Sequence, residues 1–278
     1  MAITGASDVA STIQKVVSAL TTRTLIQESV ALNIPGVWDR SGEVMEGMDR
    51  LDMIQLAELA VQDVNEAGGE MTPQTINPSS AMLLLDQHKS IPFALTSKGD
   101  IQSKIALVQR TVENGIRSLA AQVDDAIFGE AVANAGTTEI VAASDALAAL
   151  LGAKQQFDED NVPRMDRAVV LSPAFCALLL GTNNVIRANE FGSANPIQAA
   201  RVANIYGMEV YESSSSSIPN DGFVAFGMEA LAFARQRQVQ FEQQRQVLAQ
   251  KTDYTITHLY GVESTAASNP RIYVYDPA

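Results

Sequence analysis

One cysteine, Cys176, stands among 278 residues. It excludes an intramolecular disulfide and any cysteine-built metal cluster, and it fits a reducing compartment. Histidine is almost as scarce. His88 and His258 are the only two, and both lie in alternating stretches, where a half-exposed strand histidine is expected rather than a ligand. Long apolar runs are missing too. Nothing approaches the roughly 18 to 20 consecutive apolar residues that a membrane helix needs. The opening MAITGASDVASTIQKVV has no basic stretch followed by an apolar one, so no signal peptide is expected. Basic charge is short as well: 19 Lys and Arg face 32 Asp and Glu, a net charge of −13. A chain that gripped nucleic acid would carry a basic stripe. Only a loose group appears, Arg235, Arg237, Arg245 and Lys251.

Catalytic patterns are absent in the same way. There is no GxxxxGKS/T or GxGxxG loop to cradle a phosphate, and no GxSxG elbow. The serines at 213 to 217 have no base beside them and read as part of a flexible loop, SSSSSIPNDG. Cys176, within AFCALLL, reads as a buried structural thiol with nothing basic nearby to activate it. The expectation is a protein that is not an enzyme, with no catalytic residue, no cofactor, no cofactor-binding residue and no metal ligand.

What is present is a globular composition, 46% apolar and 18% charged. Ser7 can cap a first helix over about 8–20, striped by Ile13, Val16, Val17 and Leu20. Residues 37–80 are the least regular. They suit a long hairpin, although LDMIQLAELAVQDV has a helical composition. AMLLLDQHKSIPFAL reads as one or two strands broken at Pro92.

Ile101, Ile105, Val108, Val112, Ile116, Leu119, Val123 and Ile127 then follow one face of a helix. Asp100 is its candidate N-cap and Gly136 its candidate stop. Such a helix would span roughly 50 Å. Beyond it, Ser144 can cap a helix through Phe157, RAVVL reads as a buried strand, and Ser172-Pro173 opens a further helix. NIYGMEVYES and FVAFG read as strands, MEALAFA as a short helix, and VQFEQQRQ, DYTITHLYG and PRIYVYDP as strands that return beside the long helix.

LAAQVDDAIFGE holds the one carboxylate pair that invites a chemical reading. Adjacent helical residues point about 100° apart, so Asp124 and Asp125 do not share one site. A third carboxylate one turn on would strengthen a metal reading, but that position is Phe128. The pair is expected to flank a buried seam and to face solvent or a neighbouring subunit.

The order of these parts resembles the major capsid proteins of tailed bacteriophages, whose shell-forming fold is shared with encapsulins. LLLDQHKSIPFALTSKGDIQSK resembles the family's strand leading into its spine helix, and LAAQVDDAIFGEA the close of that spine. MDRAVVLSPAFCALLL resembles the strand and helix that open the axial domain, NIYGMEVYESSSSSIP a later strand of it, and QVLAQKTDYTITHLYGVESTAASNPRIYVYDP the return strands.

The resemblance implies an α+β fold: an N-terminal arm over 1–29, an extended loop over 30–95, a peripheral domain with a long spine helix over 96–140 and 236–278, and an axial domain over 141–235. It implies a structural protein that assembles into pentamers and hexamers of an icosahedral capsid around double-stranded DNA. An encapsulin-type compartment is the alternative and an enzyme a remote one. The implied partners are copies of the chain, a separate scaffolding protein, a portal and a decoration protein, with weak non-specific contact to packaged DNA and no membrane. The implied location is the virion, after assembly in the host cytoplasm.

Overall fold

The computed structural model describes residues 24–25, 28–45, 47–55, 73–75, 79–97, 99, 107–140, 145–181 and 204–277. Several sequence expectations lie outside them: the helix over 8–20, residues 56–64 of the helix-like stretch, and the caps Asp100 and Ser144. In chain order the strands and helices are β1 (Val37–Asp39), β2 (Arg50–Gln55), β3 (Ser79–Leu84), β4 (Gln87–Thr96), α1 (Leu107–Ala133), β5 (Ala135–Ile140), α2 (Ala146–Glu159), β6 (Ala168–Leu171), α3 (Pro173–Gly181), β7 (Asn204–Ile205), β8 (Met208–Glu212), β9 (Phe223–Phe226), β10 (Leu231–Gln246), β11 (Lys251–Ser264) and β12 (Asn269–Asp276). A 3-10 turn, Ala31–Asn33, precedes β1.

The strands form three sheets. One has four strands in the order β1-β10-β11-β4, one has six in the order β5-β12-β9-β6-β8-β7, and β2 and β3 make an antiparallel hairpin. The stripe read from the sequence builds α1. Ile116, Leu119, Val123 and Ile127 are each 3% exposed or less. At 27 residues α1 is about 40 Å long.

The N-terminal half of α1 lies on the four-stranded sheet, with Ile116 and Leu119 clustered with Val239 and Ile256. Its C-terminal half turns to the six-stranded sheet, where Val123, Ile127 and Phe128 meet Val170, Val224, Phe226 and Val274. Full burial of each such side chain contributes about 1.5–3 kcal/mol. On the other face of the six-stranded sheet, α2 and α3 close a second core around Leu150, Phe157, Phe175 and Phe223. The six-stranded sheet is therefore covered on both faces, and AVVL is buried at every position.

Several local expectations are corrected. The strand pair is not broken at Pro92: β4 runs through it, and the break falls at Leu85–Asp86. Pro92 is tolerated because β4 is an edge strand, so the missing N–H takes no ladder bond. LDMIQ is strand despite the helical composition of the stretch it opens, because Leu51 and Met53 alternate inward across the hairpin. Gly136 does not stop α1. The helix ends at Ala133, and Gly136 sits in β5, where an added Cβ would lie 2.6 Å from the Asn269 carbonyl oxygen.

Asp145 caps α2, its carboxylate accepting from the Leu147 amide. MEALAFA is not helical. LAFA opens β10, paired to β1 on one side and β11 on the other. The return strands divide between two sheets yet all lie beside α1: β10 and β11 in the four-stranded sheet, and β12 in the six-stranded sheet between β5 and β9, where Ile272 and Val274 pack on Val123 and Ile127.

Candidate functional site: the arm platform and the aspartate pair

The hairpin of β2 and β3 lies on a shelf of small residues. On β10, Leu231 and Phe233 point to the core under α1, while Ala232 and Ala234 point the other way, to Leu51, Met53, Leu83 and Leu85 of the hairpin side. Gly261 stands opposite Ala234 in the register. A Cβ on Gly261 would come within 1.9 Å of the Leu84 carbonyl oxygen, so only glycine permits this approach. The Leu85 amide donates to the Asp49 carbonyl, and the Gln236 side chain to that of Met48. The inner face is thus buried on its own subunit. The outer face is mixed: Ile54 is 74%, Met82 49% and Leu84 48% exposed, and they alternate across the hairpin with exposed Ser80, Asp52 and Arg50.

Asp124 is not solvated, which corrects the sequence expectation, whereas Asp125 is only half-buried. Asp124 is buried, and its carboxylate accepts from the Ser29 hydroxyl and from the amides of Val30 and Ala31, both at 3.0 Å. It holds the opening of the 3-10 turn Ala31–Asn33. Burial pushes its pKa above the usual carboxylate range, against the pull of these donors. Asp125 points elsewhere, as helix geometry requires. Its carboxylate accepts from the Ser215 hydroxyl and the Ser216 amide, and its carbonyl from the Ser217 hydroxyl. The serine loop is therefore anchored, not free.

Cys176 is buried, and burial, helped by Glu212, raises its thiol pKa. His88 is exposed on β4. His258 is not half-exposed as expected but 1% exposed on β11, its ring 4.9 Å from that of Tyr260. Burial first, and the Arg235 charge second, lower its pKa to about 4. Arg235, Arg237 and Arg245 are strung along β10 with Lys251 across the turn, and Arg235 and Lys251 approach Asp39 and Asp253. Among the described residues no group of three or more His, Cys, Asp or Glu is arranged to hold a metal ion.

Arg167 went unnoticed in the sequence. Its side chain is 4% exposed. It donates to the carbonyls of Val162 and Pro163, lies 2.9 Å from Asp158, and covers the Phe157 ring. It ties the loop between α2 and β6 to the end of α2. The two arginines of VPRMDR, just ahead of β6, are its local signal.

A long spine, a six-stranded sheet covered on both faces, and a hairpin seated on a shelf of small residues make up the described architecture. The chain belongs to the phage capsid protein family, whose model matches residues 100–271. Among solved structures it is similar to a Mycobacterium phage Che8 chain at 24% identity, covering 82% of this chain and 84% of that one with a TM-score of 0.69. It is also similar to the capsid of cyanophage P-SCSP1u at 15% identity, 87% and 86% coverage and TM-score 0.67. A Microbacterium phage Oxtober96 chain gives 13% identity, 90% and 91% coverage and TM-score 0.67. Nothing among curated proteins matches. The protein is a structural shell protein of phage capsids with the tailed-phage major capsid fold; it self-assembles into capsid oligomers, and its place is the virion capsid.

Proposed function

We propose that the chain closes into pentamers and hexamers of an icosahedral capsid that encloses double-stranded DNA. The observation that carries this reading is the arm. Its inner face is fixed on its own subunit, while Ile54, Met82 and Leu84 stand exposed on the other face. Ordinary specific interfaces bury on the order of 1,200–2,000 Å², and identical chains in ring contact supply such surfaces repeatedly. The arm lies across the neighbouring copy and covers these residues there.

We divide the chain into an N-terminal arm (1–29), an extended loop (30–95), a peripheral part around α1 with β10 and β11, and an axial part that holds the six-stranded sheet. β5 and β12 go with the axial part because both pair within that sheet. The net charge of −13 suits a container whose inner wall holds DNA only weakly, so that an entering genome is not trapped. A separate scaffolding protein, a portal and a decoration protein are the further partners, and assembly takes place in the host cytoplasm. We assign no catalytic role. Asp124 and Asp125 serve as tethers and Cys176 as core.

Deleting residues 40–75 tests the arm's role. The expected variant keeps a folded axial part by circular dichroism and yields no closed particles under negative stain. Normal particles from the deletion would refute the arm's part in assembly.

A further inference from the structure

Asp124 and Asp125 stand side by side near the C-terminal end of α1 and hold two segments that are remote in sequence. Asp124 takes three donors from Ser29, Val30 and Ala31. Asp125 takes the Ser215 hydroxyl and the Ser216 amide, while Ser217 returns a bond to the Asp125 carbonyl. The two held segments also meet each other. Tyr211, on β8, packs with Val30 and Leu32 in one core; its hydroxyl donates to Glu209 at 2.8 Å and lies 3.3 Å from the Asn33 carbonyl oxygen, so the meeting of the two segments rests on this packing.

The serine loop leaves directly from the end of β8 at Glu212. The contacts therefore close a ring. It runs from Asp124 to Ser29, along the 3-10 turn to Asn33, across to Tyr211, along the loop to Ser215, and back to Asp125. Three short pieces of chain make it: the spine, the segment that enters from the N-terminal side, and the edge of the six-stranded sheet. Inside the loop the hydroxyls relay the tie, Ser215 accepting from the Ser217 amide and Ser213 from the Ser215 amide, each at 3.3 Å. Ile218, 4% exposed, seats the loop in the same core as Val123 and Ile127.

We propose that this ring is a latch that sets the angle between the spine helix and the six-stranded sheet, together with the point where the N-terminal segment leaves the spine. The two carboxylates share one peptide bond at a fixed divergence of about 100°. A rotation of the last turns of α1 that slackens one tie therefore moves the other. Hydrogen bonds to charged acceptors are the stronger class, so the latch resists thermal opening yet depends on few atoms. Its consequence for assembly rests on the shell-building reading, because the spine-to-sheet angle fixes the shape that copies present to one another. The coupling itself does not depend on that reading.

Hydrogen exchange on the unassembled subunit reads the coupling directly. Asp125→Ala removes the bond to the Ser216 amide and leaves the Asp124 donors untouched. The latch requires exchange at the Val30 and Ala31 amides to rise as well, by roughly fivefold or more. Asp124→Ala must act reciprocally on Ser216. If each variant loosens only the segment it touches, the two aspartates are independent tethers and the latch is overturned. Should Asp125→Ala fail to fold, Ser215→Ala with Ser217→Ala removes both hydroxyl ties to Asp125 from the loop side, leaving the Ser216 amide bond, and carries the same two outcomes at Val30 and Ala31. In assembled material, folded Asp125→Ala is expected to give particles of broadened diameter. Wild-type diameters together with exchange confined to the serine loop contradict the proposal.

Discussion

Gly261→Ala is expected to lift the arm from its own subunit and to stop closed shells from forming. The argument is steric. The added carbon would sit 1.9 Å from the Leu84 carbonyl oxygen and 2.8 Å from its carbonyl carbon, both main-chain atoms at the end of β3. No rotamer change can relieve a clash with backbone, so β3 must move away from β11. That movement opens the contact of Leu51, Met53, Leu83 and Leu85 with Ala232 and Ala234. Overpacking of this kind costs about 3 kcal/mol. It also changes the direction in which the arm leaves the subunit, which matters more for assembly than the stability itself. Gly181→Ala is the control, since among the described residues nothing lies within 4 Å of its added carbon. A lowered urea midpoint with loss of particles is expected for Gly261→Ala, and wild-type behaviour for the control. Normal particles from Gly261→Ala would show that the close approach of β3 to β11 does not matter.

Acid is expected to weaken the unassembled subunit well before its carboxylates are neutralised, and His258 is the reason. Its imidazole is buried between the sheet and the spine, its Nδ1 makes no hydrogen bond among the described residues, and its pKa falls to about 4. In the unfolded chain the same group titrates near 6.5. Above pH 6.5 it is neutral in both states and stability is complete. Between pH 6.5 and 4 only the unfolded chain takes the proton, so stability falls by about 3 kcal/mol across that window and then levels.

Asp158 acts in a lower window. Lys154 first and Arg167 second hold its pKa at about 2, so its contribution is present above 3.8 and is lost as pH falls toward 2. Urea midpoints measured at pH 7, 5, 4 and about 2 separate the two. His258→Phe should flatten the slope between pH 6.5 and 4 and leave any loss below 3.8 in place. An unchanged slope in that variant would exonerate the histidine.

Particular residues show why the sequence was informative in some places and not in others. The spine was legible because Ile116, Leu119, Val123 and Ile127 repeat at helical spacing, and that spacing is itself the burial pattern. AVVL and the Ser172-Pro173 cap were legible for the same local reason: the Phe175 amide bonds the Ser172 hydroxyl only three residues away. LAFA was not. Leucine and alanine favour helix in isolation, but β1 and β11 flank the segment and impose a strand from positions remote in the chain.

The aspartates were half legible. Their divergence follows from helix geometry, whereas their partners lie 95 positions back for Ser29 and 90 forward for Ser215, which no local pattern encodes. The arm's shelf was hidden for a similar reason. Ala232, Ala234 and Gly261 are unremarkable one by one, and their smallness acquires meaning only when Ala234 and Gly261 are paired across two strands. His258 was misjudged because alternation along β11 shows that one face is inward but not that the spine closes over it.

Negative-stain microscopy of the purified full chain tests the central claim most directly. Closed, uniform particles tens of nanometres across, which resolve on averaging into rings of five and six copies, are the expected result. A stable monomer or dimer at concentrations where the arm's exposed apolar residues would have to find a partner contradicts the account.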